Sequence, residues 1–127
     1  MTENEVSKTI VDAALKVHRA LGPGLLESVY EIVLAHELRS RGLRVLRQVS
    51  VPVRYNNILF DEGFRADLVV EQKVIVEVKS VELVKRVHKK QVLTYLRLAD
   101  MRLGLLINFG TDLIRDGITR LVNGLEE

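Results

Sequence analysis

The chain has 127 residues, 47% hydrophobic and 28% charged, with a formal net charge of +2. That is the balance of one globular domain over 1–127, large enough to close a core without staples, and neither basic nor acidic enough to name a partner. It has no cysteine and only three histidines, His18, His36 and His88, with no ligand spacing. Disulfides, a thiolate zinc site and a thiol nucleophile are excluded, a zinc enzyme is not expected, and a reducing cytoplasmic setting is. The amino terminus has no apolar signal segment and no apolar run reaches spanning length, so no membrane partner is expected.

Residues 5–20 carry Val6, Ile10, Ala13, Ala14, Val17 and Leu21 at helical spacing, which predicts an amphipathic helix. Leu21-Gly22-Pro23-Gly24 ends it. A second helix runs to about Arg41, with Leu26, Val29, Tyr30, Val33 and Leu34 as its apolar stripe. From Arg44 to Tyr55 valines alternate with polar residues, a strand wet on one side, and Pro52 puts it at a sheet edge. Asn56-Asn57 predicts a tight turn into a short strand at Ile58–Phe60.

Two apolar runs around Glu71-Gln72-Lys73 then predict a hairpin covered on both faces. Asp67, Glu77 and Lys79 lie inside those runs, where charge is rare unless paired or ligand-bound. Pairing Val70 with Val74 leaves a three-residue loop and sets Asp67 opposite Glu77 on one face. It also gathers Ala66, Leu68 and Val70 with Val74, Val76 and Val78 on the core face. A two-residue loop would bury Asp67 in that core instead. Two carboxylates and an ammonium on a rigid sheet suit a divalent-metal phosphodiesterase, though hairpin geometry alone favours a structural ion pair between strands. Glu71-Gln72-Lys73 repeats the E-x-K spacing, but a solvated turn cannot fix a metal.

A helix from about Val84 to Ala99 follows, then a buried strand over Arg102–Asn108 reached by that crossover and so parallel to its neighbour. Leu113, Ile114, Ile118, Leu121 and Val122 predict a last helix over 111–122. The order α-α-β-β-β-β-α-β-α implies an α/β sandwich around a mixed sheet.

Other residues carry two readings each. Glu27 opens the second helix, where the dipole favours an acid whatever its use, and Tyr30 one turn on fits the core. Glu37 is a rival inward acid, better explained by a pair with an arginine. His88, Gln91 and Tyr95 share one helix face that is polar where a core stripe would be apolar. It either looks across the site at phosphate or base, or lies open to solvent. Lys85, Arg86, Lys89 and Lys90 crowd that helix's start against its dipole, as phosphate contacts or as a solvated charge run.

Taken together, Gly24-x-x-Glu27-x-x-Tyr30, Gly63-Phe64-Arg65-Ala66-Asp67, Glu77-Val78-Lys79 and Gln91-x-x-x-Tyr95 resemble the PD-(D/E)XK nuclease superfamily. Within it they resemble the small bacterial and archaeal GxxExxY family. The last motif is similar to the Gln/Tyr motif of RecB-type nucleases, and Ala66 stands where the superfamily often has Pro. The resemblance implies a restriction-endonuclease-like αβββαβ core, a mixed central sheet with helices on both faces, and metal-dependent cleavage of phosphodiesters. It implies Asp67 and Glu77 as ligands of Mg²⁺ or Mn²⁺, Glu27 as an extra acid, and Lys79 as the group orienting water and stabilising charge. Gln91 and Tyr95 would position substrate or Lys79. The expected substrate is nucleic acid, DNA before RNA. With no appended recognition domain and few aromatics, a homodimer or partner protein would supply substrate choice. The alternatives are a non-catalytic module binding nucleic acid or protein on the same fold, and an enzyme for another phosphorylated substrate.

Overall fold

A computed structural model describes residues 1–126. The first apolar stripe forms α1 (Glu3–Leu21), opened by a Thr2/Glu5 capping box. The second forms α2 (Glu27–Ser40), whose buried apolar residues are Tyr30, Leu34, Ala35 and Leu38, while the expected Leu26 and Val29 are exposed. Then come β1 (Val45–Tyr55), β2 (Ile58–Val70), β3 (Val74–Lys79), α3 (Arg86–Ala99), β4 (Leu103–Asn108), a 3₁₀ turn at Ile114–Gly117 and β5 (Ile118–Val122). One five-stranded sheet has the order β1-β2-β3-β4-β5. β3 and β4 run parallel across the α3 crossover, and the other neighbours are antiparallel.

The hairpin register is the expected one: Val70 pairs with Val74 and Leu68 with Val76. Glu71 and Gln72 take left-handed φ values of 53° and 56° in the loop, and Asn56-Asn57 do the same in theirs. β1 lies at the sheet edge and shifts register between Val51 and Val53, flanking Pro52. There the backbones of β1 and β2 come so close that a Cβ at Gly63 would collide with the Val51 carbonyl oxygen. The far end of this hairpin leaves Tyr55, Ile58, Leu59 and Phe60 exposed.

Two elements differ from the expected ones. The short strand at Ile58–Phe60 is the start of β2, which runs unbroken to Val70. The last helix over 111–122 is a 3₁₀ turn and strand β5. Residues Ile118, Thr119 and Val122 are β-branched, and pairing them beside β4 covers an edge that would otherwise lie open on a fully buried strand. Gly117 packs against Asn108, where a side chain would strike the Asn108 carbonyl oxygen.

The sheet has an apolar layer on each face. Leu68, Val70, Val74, Val76, Val78, Leu103, Leu105 and Ile107 pack with α1 and α2. Val69, Ile75 and Leu106 pack with Val92 and Leu96 of α3. This is the αβββαβ core with a mixed sheet and helices on both faces. Ala66 departs from the alternation: it belongs to the α3 side, not to the layer holding Leu68 and Val70.

Tyr30 joins α2 to this frame. Its ring stacks on Phe109 at 4.5 Å, its hydroxyl donates to the Gly22 carbonyl, and it accepts from the Leu25 N–H at 3.2 Å. Tyr30→Phe keeps the ring but orphans both backbone groups of the α1–α2 turn. It should cost about 1–2 kcal/mol in urea denaturation. A variant as stable as wild type would show that ring packing alone holds the turn.

Candidate functional site

β2 and β3 pair only from Leu68/Val76 to Val70/Val74. Beyond that the strands part: β2 continues beside β1, and β3 continues beside β4 through Glu77, Val78 and Lys79. Asp67 and Glu77 stand at this fork and exchange groups across it. The Asp67 N–H donates to Glu77 Oε1 at 3.1 Å, and the Val78 N–H donates to Asp67 Oδ2 at 2.8 Å. Each carboxylate thus replaces a ladder acceptor and keeps a second oxygen.

Burial and charge make the pair costly. Glu77 is buried and Asp67 half-buried. Desolvation first, then the neighbouring negative charge of Asp67, raise the Glu77 carboxyl from 4.5 to about 8, with Lys79 pulling the other way. The phenol of Tyr95 on α3 is pushed up by its own burial and then by the charges of Glu77 and Asp67, so it lies within electrostatic range of both acids. Its ring stacks on Phe64 at 3.7 Å, so the Gly63-Phe64 stretch supports the Tyr95 side of the site. Lys79 is half-buried at the end of β3, paired with Asn108 of β4. Buried Asn108 organises the chain beyond: it accepts from the N–H groups of Val81 and Gly110, both at 3.0 Å, and donates to the Val81 carbonyl at 2.9 Å.

A third acid reaches this fork, and the sequence reading missed it. Glu31 is buried, with 5% of its surface exposed, and pairs with Arg47 Nη2 at 2.9 Å. It also accepts from Gln48 Nε2 at 2.7 Å, and the same nitrogen lies 3.4 Å from Asp67 Oδ1. Burial raises the Glu31 carboxyl, helped by the charge of Asp67 and opposed by Arg47 and Gln48. Its sequence signal was position: it follows Glu27 by one turn, between Tyr30 and Leu34 on the buried stripe. Gln48 had no local signal, yet it holds a left-handed φ of 53° within β1, a strain of about 1–3 kcal/mol for a residue with a side chain.

A family model described as the PD-(D/E)XK nuclease superfamily matches residues 4–121. The chain belongs to the PD-(D/E)XK nuclease superfamily. No curated protein and no solved structure gives a match. In this superfamily member the fork brings together Asp67, Glu77, Lys79 and Tyr95. Gln91 is exposed one turn before Tyr95. Glu27 is not gathered with them: its carboxylate accepts from the Ser80 N–H at 3.3 Å, one residue beyond Lys79. Among the described residues no three acids or histidines form a group able to hold a metal. Glu37 pairs with Lys16 and Arg41, each at 3.0 Å, as an ordinary ion-pair acid. His88 accepts from the Lys85 N–H at 3.1 Å, so the cap of α3 takes it out of the polar stripe. No helix among the described residues is long and apolar enough to cross a membrane.

The raised carboxyl of Glu77 fixes the direction of a pH effect. Between 4.5 and about 8 the folded, metal-free protein holds a proton there that the unfolded chain has lost. Stability therefore falls as pH rises through that window and levels off above it. Urea titrations in EDTA should show this slope in wild type and a shallower one in Glu77→Gln, the remainder coming from groups such as Glu31. Equal slopes would mean that Glu77 titrates normally.

Proposed function

We propose that the protein is a divalent-metal-dependent nuclease that hydrolyses phosphodiester bonds, DNA in preference to RNA, with Asp67, Glu77 and Lys79 at its centre. The observation that carries this reading is the fork, where two carboxylates meet beside a lysine at the end of a rigid buried strand. The donors fit Mg²⁺ or Mn²⁺: both are hard oxygens, and Oδ1 of Asp67 and Oε2 of Glu77 are not taken by the backbone. Burial first, and then the charge of Asp67, hold the Glu77 carboxyl up, and a cation bound there would offset both. Two carboxylates, with water and substrate phosphate completing the shell, are how Mg²⁺ is commonly held. Bound there, the cation would polarise the phosphate and activate water at neutral pH.

The chain's own groups do the rest. Lys79 orients the attacking water and stabilises charge that develops on the phosphate oxygens, an electrostatic task for a cation. Tyr95, backed by Phe64, borders the acids, and exposed Gln91 sits one turn away to contact substrate. Lys85, Arg86, Lys89 and Lys90 are all exposed at the start of α3, and none forms an ion pair among the described residues. They lie at the sheet end where β3 finishes, which suits contacts to a nucleic-acid backbone. Glu27, tied to Ser80, shapes the chain leaving Lys79 in this reading. The motif set fits the GxxExxY family within the superfamily, and a homodimer or partner protein would supply substrate choice.

One observation favours a second reading, a module that binds nucleic acid without cutting it: the backbone N–H groups of the fork give both carboxylates a structural task as well. Millimolar Mn²⁺ or Mg²⁺ should raise the melting temperature of wild type and leave Asp67→Asn unmoved. Lys79→Ala should keep the metal-induced shift yet slow single-turnover cleavage of labelled single- and double-stranded DNA on the order of 10²–10³-fold, with Gln91→Ala milder. Wild type that binds DNA with metal present and cuts no substrate would establish the binding module instead.

A further inference from the structure

Gln48 is the residue of β1 whose backbone departs most from a strand. Its φ of 53° lies between regular pairs, Arg47 with Leu68 and Val49 with Ala66, so no extra residue is being accommodated. A left-handed position of this kind favours Gly or Asn, and glutamine has no such preference. What the kink achieves is visible in the side chains. Successive residues of a strand point to opposite faces, yet Arg47 and Gln48 both reach the carboxylate of Glu31, at 2.9 and 2.7 Å. From there the Gln48 amide extends toward Asp67 Oδ1 at 3.4 Å.

We propose that Gln48 is a positioning residue for the Asp67 carboxylate, held to that task by Glu31 and Arg47. The inference rests on the reading of Asp67 and Glu77 as the holders of a divalent cation. Asp67 Oδ2 is fixed from the sheet by the Val78 N–H at 2.8 Å. The Gln48 amide steadies the other oxygen, so the carboxylate plane is set from both sides. A carboxylate oxygen has more than one lone-pair site, so a donor on each leaves room for a cation. Glu31 is the anchor: buried and locked to Arg47, it fixes the amide nitrogen that faces Asp67. Outer partners that orient a ligand in this way are worth roughly 10–100-fold in metal affinity.

The test separates the amide from the backbone. Mn²⁺ is titrated calorimetrically into full-length wild type, Gln48→Ala and Gln48→Gly, with and without a DNA duplex, and the metal-free melting temperature of each is recorded. Glycine accepts the left-handed backbone without strain, so Gln48→Gly should stay folded with a melting temperature near wild type. It should nevertheless bind Mn²⁺ about 10–100-fold more weakly, as should Gln48→Ala. Mn²⁺ binding by Gln48→Gly within twofold of wild type would show that only the backbone turn matters and overturn the proposal alone. Wild type that binds no Mn²⁺ with or without DNA would overturn the metal reading and this proposal together.

Discussion

The exchange between Asp67 and Glu77 across the β2–β3 fork is the constraint on which the site depends. Once β2 leaves β3 beyond Leu68, the backbone N–H groups of Asp67 and Val78 need acceptors that no strand supplies. An unpaired buried N–H costs free energy comparable to a lost hydrogen bond. Here side chains supply the acceptors, which sets two carboxylates on facing strands close together and poorly solvated. The raised Glu77 carboxyl follows from that arrangement. Backbone satisfaction at the fork and the crowding of two poorly solvated carboxylates are two consequences of one placement.

The surrounding fold keeps the fork from moving. β3 is buried on both faces and parallel to β4, so its end at Lys79 is fixed by the two apolar layers and by Asn108. Past the fork the only strand pairing with β2 is β1, and there the ribbon turns over. Leu68 packs toward α1 and α2 while Ala66 packs toward α3, and on β1 Val45 and Val49 divide in the same way. The turnover coincides with the left-handed Gln48. Strain of this kind persists only where neighbours over-determine it, and here Glu31 and the β1–β2 ladder do so.

The register of the hairpin was legible because two local signals agreed: the alternation around Val70 and Val74, and the length of Glu71-Gln72-Lys73. The same alternation placed Ala66 with Leu68 and missed the turnover, since nothing in residues 45–49 announces a left-handed glutamine. Strand β5 was misread because Leu113, Ile114, Ile118, Leu121 and Val122 are spaced for a helix face, and the need to cover β4 is a tertiary demand. Asp67, Glu77 and Lys79 stood out as charges within apolar runs. Glu31 did not, because an acid on a helix stripe becomes informative only when a strand distant in sequence brings Arg47 and Gln48 to it.

The two acids of α2 explain how a helix outside the sheet belongs to the site. Glu27 and Glu31 are one turn apart, about 6 Å along the axis, and therefore share a face. Glu31 reaches through Gln48 to Asp67 on β2. Glu27 holds the Ser80 N–H, while the Ser80 hydroxyl donates to the Leu25 carbonyl at 2.6 Å, fixing the chain just after Lys79 on β3. Tyr30 locks the turn before the helix by gripping Gly22 and Leu25. Glu27 and Glu31 thus make α2 a bracket, one arm on the chain just after β3 and the other reaching β2 through Gln48 of β1. A shift of α2 along its axis would disturb both contacts at once, and the packing of Tyr30 on Phe109 holds the helix against such a shift.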